Sequence, residues 1–229
     1  LILAATAGAL AVVGARDLFT LLIAVETAAL PMVGLVGAER TRQAAGAALR
    51  LLLVTVVSFA ITVVGIALIY AAVGTVHLTR LAAAPGSVTM LVGVAFVVAG
   101  FGYKVAAMPF GIWVADVYPA APTPVALLLS TTSKVAGVAA ALLVVISAAP
   151  GLTDSWLPAL VAVTMTVGNL VALTRRTAIG LLAWSTVAQA GWALLPLAAV
   201  VGTGLATSAT ITYLLAYCAA SLAAFVVVA

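Results

Sequence analysis

The polar positions of this chain gather in short clusters, and between them the sequence is almost wholly apolar. Apolar runs longer than about 18 residues recur along the whole length, which predicts membrane-spanning helices throughout and excludes a single anchor on a soluble body. The punctuation divides the chain into about eight segments. The first, Leu1 to about Gly14, is too short to span at about 1.5 Å per residue and reads as the end of a helix cut at Leu1. Arg16-Asp17 closes it and caps the second, about Leu18 to Gly37, which contains Glu26 and Pro31. A loop with Glu39, Arg40 and Arg42 leads to the third, about Ala44 to Ala72. A polar loop with His77 and Arg80 leads to the fourth, about Val88 to Tyr118. The fifth opens at a Pro-Thr-Pro corner beginning at Pro122, where proline suits a first helical turn, and runs to about Ala148. After a turn from Pro150 to Ser155 come the sixth (about Trp156 to Leu173), the seventh (about Ala178 to Val201) and the eighth (about Ala206 to Ala229).

Two prolines complicate the pattern. At roughly 30 residues the fourth segment is longer than a straight span needs. Inside it, Pro109 removes a backbone donor and clashes with the carbonyl four residues back. A broken helix near Pro109 is the natural expectation, with irregular backbone at depth facing protein or a water-filled cavity. Pro31 predicts a second, similar break in the second segment. Each proline comes after a charged residue, Glu26 or Lys104, by the same interval, and frees the carbonyl just after it, on Thr27 or Val105.

Composition sharpens the class. Residues are 66% hydrophobic and 6% charged, against about 25% charged in soluble domains, so the expectation is an all-α polytopic membrane protein. The net charge of +4 comes from arginines in short connections, a topology signal and not a nucleic-acid patch. Arg40, Arg42, Arg175 and Arg176, with Arg50 nearby, mark the cytoplasmic side, and Arg16 and Arg80 lie opposite. One cysteine, Cys218, and one histidine, His77, cannot form a metal site or an iron–sulfur cluster. No phosphate loop or dinucleotide fingerprint is present, so no metal or cofactor is expected in this chain, and any associated electron transfer runs elsewhere.

The candidate chemistry lies in three charges within apolar sequence. Counting at about 1.5 Å per residue, Glu26 lies roughly 13 Å, Lys134 roughly 18 Å and Lys104 roughly 24 Å along their segments. All three fall near the middle of the membrane, on different helices. An ionisable group there costs roughly 2.5–3.5 kcal/mol on insertion scales and is a functional candidate by default. Burial disfavours a lysine's charged form and a nearby carboxylate favours it, so a lysine balanced between the two can load and release a proton. Lys134 comes directly after the hydroxyl cluster Ser130, Thr131, Thr132 and Ser133, which could hold water beside its ammonium. Asp116 divides between a helix-end interaction and proton uptake at the inner boundary. Asn169, Ser185, Gln189, Thr210, Tyr213 and Tyr217 are candidates for a water path, each with an ordinary interhelical hydrogen bond as the competing reading. For Glu26 and Lys104 the competing reading is an ion pair that fixes helix packing.

These residues sit in stretches with a familiar spelling. ARDLFTLLIAVETAALPMVGLVG, GYKVAAMPFGIWVADVYPAAPTPV and TTSKVAG resemble the antiporter-like membrane subunits of proton-pumping NADH:quinone oxidoreductase, respiratory complex I. DVY-x-x-APTPV with SK-x-AG after it looks most like subunit N, with Mrp-type antiporter subunits as relatives. The resemblance runs from about Arg16 to Trp192. It implies two inverted five-helix repeats, each with a discontinuous helix. Residues 1–149 would be the first repeat and 150–229 the incomplete beginning of the second. By the same resemblance Glu26 matches the family's intramembrane glutamate, Lys104 the lysine of the broken helix and Lys134 the next central lysine. Gly111, Pro119, Gly180 and Gln189 depart from the family's usual residues.

The function implied is proton translocation through a chain of buried charges, coupled to quinone reduction in partner subunits. NADH, flavin, iron–sulfur clusters and quinone would belong to those partners, within a hetero-oligomer of membrane-arm subunits. A cation/proton antiporter subunit of the Mrp or membrane-hydrogenase type is the alternative, and a scaffold that moves nothing is a third reading. The alanine-rich, aromatic-poor composition points to a bacterium with a GC-rich genome, hence to its plasma (inner) membrane.

Overall fold

The computed structural model of this chain describes residues 1–148, 151–199 and 204–228. The expected repeat boundary at 149/150 and the expected ends of the seventh and eighth segments at Val201 and Ala229 lie outside them. Apolar composition makes helices, and polar side chains at their starts decide where each begins. Helix α1 covers Ile2–Gly14 and α2 covers Leu18–Val36. Asp17 caps α2, accepting from the Thr20 amide at 2.8 Å and its hydroxyl at 2.7 Å. These two bonds, the hydroxyl's first, hold the Asp17 carboxyl below the ordinary aspartate value. Thr41 caps α3, Arg42–Val73, and Gly74 closes it in the left-handed conformation, φ 72°. A single turn, α4 (Leu78–Leu81), leads to α5, Val88–Val105, capped by Ser87. After α5 the chain is irregular through the short α6, Val114–Val117. Then come α7 (Thr123–Leu128), a π-helical turn over Leu129–Ser133, and α8 (Lys134–Ser147). Helices α9 (Leu157–Ala172), α10 (Ala178–Ala199) and α11 (Gly204–Val228) complete the chain.

Among the described residues, six stretches are long and apolar enough to cross a membrane: Leu18–Glu39, Arg42–Val73, Val88–Ala120, Thr123–Ser147, Ala178–Ala199 and Gly204–Val228. Helices α1 and α9 are apolar but shorter. The sixth expected segment corresponds to the shorter α9. Its 16 helical residues reach about 24 Å at 1.5 Å each, because the chain turns at Thr174 and Arg175 at one end and below Trp156 at the other. Large apolar side chains such as Leu3, Leu215 and Val227 point outward, as a hydrocarbon solvent allows. The protein is a multi-pass, all-helical membrane protein.

Close packing fixes the hairpins. A side chain at Gly8 would meet the Ala28 backbone at 2.3 Å, so α1 and α2 touch backbone to backbone. The same contact recurs between α9 and α10, where a side chain at Gly168 would meet the Ala188 backbone at 2.4 Å. The cap recurs in register too: Thr177 accepts from the Gly180 amide as Asp17 does from Thr20. At one end of the molecule Arg16 and Asp17 meet the loop after α3, through Leu18 N–H to Val76 O and Leu78 N–H to Arg16 O. At the other end Arg42, Arg50 and Asp116 line one cleft.

Candidate proton-transfer site

Helix α2 runs unbroken through Pro31, so the expected break there is not found. One missing donor leaves the rest of a well-packed helix in place, and Thr27 bonds back along it to the Ile23 carbonyl. Glu26 thus stands on a regular helix between the buried residues Val25 and Ala28. The broken segment is found, but its helix ends earlier than Pro109 suggests. It stops at Val105, and Ala106 takes a left-handed φ of 65°, a conformation that costs an ordinary residue roughly 1–2 kcal/mol. Pro109 lies in the irregular stretch after it.

Several backbone groups at this break have identified partners. The Ala107 amide bonds the Gly102 carbonyl at 2.8 Å, and the Trp113 indole donates to the Tyr103 carbonyl at 2.9 Å. Across the helix gap, Met108 N–H donates to Thr164 Oγ at 3.0 Å. These bonds answer the requirement that backbone at membrane depth be satisfied by protein. The turn closes so tightly that a side chain at Gly111 would sit 2.2 Å from the Ala106 carbonyl, which accounts for glycine at that departure from the family spelling.

Lys104 occupies the last turn of α5, where the helix's negative end favours a cation. Its ammonium lies 3.1 Å from Glu26 Oε1 and 3.2 Å from Oε2, with the side chains only 6% and 12% exposed. The pair anticipated from depth is a direct ion pair. Gly137 brings α8 against this spot: a side chain there would meet Val105 Cγ2 at 2.9 Å and Lys104 Cβ at 3.2 Å. Lys134 lies one turn earlier on the same helix, so the two lysines belong to touching helices.

Lys134 is 1% exposed. The π-turn immediately before it adds a residue to the helical turn and re-aims the side chains beyond it, a device frequent at functional positions. Two of its hydroxyls bond the helix itself. Ser130 and Thr131 both donate to the Leu127 carbonyl, because a short hydroxyl side chain on a helix bonds its own backbone most readily. Ser133 is buried beside them. The ammonium instead donates to the Thr186 carbonyl on α10 and lies 5.2 Å over the Tyr217 ring on α11.

The remaining candidates separate. Asp116 is remote from this cluster in character: it pairs with Arg50 at 2.7 Å, both side chains more than half exposed, where such pairs contribute little to stability. Gln189 accepts from the Tyr213 hydroxyl. With Ser185, Thr186, Tyr213, Tyr217 and Ser221 it lines a cavity of about 330 Å³ between α10 and α11. Asn169 is exposed, and Thr210 is buried on α11. His77 and Asp154 are exposed loop residues. Among the described residues no three metal-ligating side chains come together. Sequence reasoning missed Thr164 and Thr186. Each is a threonine in a mainly apolar helix, and Thr186 contributes its main chain, which no residue type announces.

This arrangement can be set beside known proteins. A family profile described as "NADH:quinone oxidoreductase/Mrp antiporter, TM" matches residues 15–229. NADH-quinone oxidoreductase subunit N 2 of Streptomyces griseus is 42% identical over 245 residues, covering 100% of this chain and 46% of that protein. NADH-quinone oxidoreductase subunit N of Salinispora tropica is 47% identical over 208 residues, covering 87% and 40%. Among solved structures, a chain of respiratory complex I from Thermus thermophilus superposes with a TM-score of 0.82 at 35% identity, covering 96% of this chain and 49% of its own. A chain of the Mrp complex from a Dietzia species superposes at 0.89 with 27% identity, covering 98% and 43%. The chain thus spans somewhat under half the length of these relatives. It belongs to the NADH:quinone oxidoreductase/Mrp antiporter family of transmembrane proteins.

Proposed function

We propose that this chain is part of a proton-translocating membrane subunit, of the subunit N type, in an NADH:quinone oxidoreductase. The observation that carries the reading is the direct Glu26–Lys104 ion pair at the end of a helix that stops inside the membrane. A buried pair beside such a break, with a second buried lysine on the touching helix, makes a row of sites that can pass charge in the membrane plane. Glu26 holds Lys104, Lys104 exchanges its proton toward Lys134, and Lys134 passes it toward the cavity between α10 and α11, where Ser185, Gln189 and Tyr213 line the wall. The pair Asp116–Arg50 lies at the exposed end and has no part in the central row. The cavity residue Gln189 is the candidate for the far side of the path.

The relatives named subunit N support the NADH:quinone oxidoreductase assignment. On this reading NADH, flavin, iron–sulfur clusters and quinone belong to partner subunits, other membrane-arm subunits flank this one, and the complex lies in a bacterial plasma membrane. The close superposition on an Mrp complex chain supports a second reading, a cation/proton antiporter subunit. Subunits that co-purify with the full-length protein separate the two: a peripheral arm with iron–sulfur clusters fits the first only. Residues 1–149 and 150–229 fit the first and second inverted repeats, a division supported by the recurring Gly8–Ala28 and Gly168–Ala188 contacts.

The test is proton uptake measured alongside NADH oxidation, with the full-length protein in its complex in reconstituted vesicles. Glu26→Gln removes the charge opposite Lys104, and Lys134→Ala deletes a transfer site; both are expected to lower pumping per electron. Lys134→Arg should not restore it fully, since arginine stays protonated. Unchanged pumping per electron in assembled Lys134→Ala would overturn the reading.

A further inference from the structure

Among the described residues, Lys104 has an acid partner and Lys134 has none: the two ion pairs are Glu26–Lys104 and Arg50–Asp116. An ammonium offers three donors, and one of Lys134's goes to the Thr186 carbonyl. That carbonyl lies inside the continuous helix α10, where its other lone pair serves the helix's own hydrogen bond. The second group against the ammonium is the face of Tyr217, 5.2 Å from ring centre to nitrogen, within the roughly 6 Å at which a cation and a ring attract. Tyr217 is itself only 7% exposed. Its hydroxyl stands 3.4 Å from Thr186 Oγ. Thr186 therefore meets the ammonium with its main chain and the ring's far end with its side chain. Tyr217 also forms part of the wall of the 330 Å³ cavity.

We propose that Tyr217 is a positioning residue for proton transfer at Lys134: its ring face holds the charged side chain at the boundary between α8 and the α10–α11 cavity. This rests on the transfer role given to Lys134 under the proposed function. Attraction to a ring acts on the ammonium through its charge, and the neutral amine does not feel it to the same degree. The ring thus draws Lys134 to the cavity wall while the proton is loaded and loosens its hold once the proton has gone. A carboxylate in the same place would add a formal charge and bind the ammonium more tightly. The aromatic face is the weaker holder, suited to a site that must let go.

The experiment uses the full-length protein in its complex, in vesicles, reading protons pumped per electron. Tyr217→Leu removes the ring and is expected to lower the ratio by about fivefold to thirtyfold, the range that loss of a cation–ring contact worth ~1–2 kcal/mol covers. Tyr217→Phe keeps the face and is expected to stay within about twofold of the parent. In a Lys134→Gln background, Tyr217→Leu should add no further loss, because the charge it holds is already gone. Should Tyr217→Leu fail to assemble, Tyr217→Met carries the same test. Full pumping in Lys134→Gln would remove the transfer role on which the proposal stands. Loss in Lys134→Gln with full pumping in Tyr217→Leu would overturn the role of Tyr217 alone. Equal losses in Tyr217→Leu and Tyr217→Phe, or a further loss in the Lys134→Gln background, would also overturn it.

Discussion

Single side chains divide here into those that act across the protein and those that act on their own backbone. Asp17 is of the second kind, and its consequence can be measured outside the membrane interior. The carboxyl is held below the ordinary aspartate value by the Thr20 hydroxyl and amide, so its contribution to stability is complete above that value. It is lost as pH falls through the lowered value of the folded protein. Asp17→Ala in the full-length protein should lose about 1 kcal/mol, the usual worth of such a cap. Asp17→Asn, which can still cap, should lose less and should flatten the acid limb of a thermal-stability profile. An unchanged profile in Asp17→Asn would show the carboxylate to be irrelevant there. The long-range charges were legible because the bilayer makes any charge conspicuous. Glu26, Lys104 and Lys134 are rare residues in apolar sequence, and depth counting placed them together. What could not be read was the partner of Lys134, since a carbonyl and a ring face look like ordinary helix and ordinary aromatic in a sequence. The hydroxyls of Ser130 and Thr131 are conspicuous as letters, and both donate to the Leu127 carbonyl.

At the scale of elements, proline marked one interruption and mismarked another. Pro31 sits in an intact helix, whereas α5 ends at Val105, ahead of its proline. The difference lies in the surroundings of each: the α5 break is held by Trp113 and Thr164, and a lone proline supplies no such partners. The π-turn before Lys134 carries no sequence mark either, because a single extra residue in a turn leaves hydropathy unchanged. Thr164 is the element-scale test. It is fully buried, accepts from Met108 N–H and donates its own O–H to the Leu160 carbonyl. Thr164→Val keeps the shape and leaves that amide unpartnered, which should cost roughly 1–3 kcal/mol. Thr164→Ser should retain most of it. Thermal unfolding of the full-length protein in detergent measures both, and equal stabilities would show that the amide finds another partner.

For the whole molecule the open question is which way it faces. The connection carrying Arg16 and Asp17 lies against the loop after α3, and Arg42, Arg50 and Asp116 share a cleft. The arginine bias assigns that cleft to the cytoplasm. With Cys218 changed to serine, cysteines replacing Arg40 and Arg176 should react with a membrane-impermeant reagent from the cytoplasmic side. A cysteine replacing Arg80 should react from the opposite side, and reversed labelling would invert the topology.

The recurrence of one hairpin contact has a bearing on how the two halves can drift in evolution. Gly8 meets Ala28 as Gly168 meets Ala188, and in that shared register Glu26 and Thr186 occupy the same step. Each receives a lysine, but Glu26 does so with its side chain and Thr186 with its main chain. An apolar residue at position 26 would therefore erase the acceptor, whereas at position 186 the carbonyl persists under any residue the helix will take. One lysine's partner is inherited as a letter and must be guarded letter by letter. The other's is inherited with the fold, which leaves the Thr186 side chain to face Tyr217.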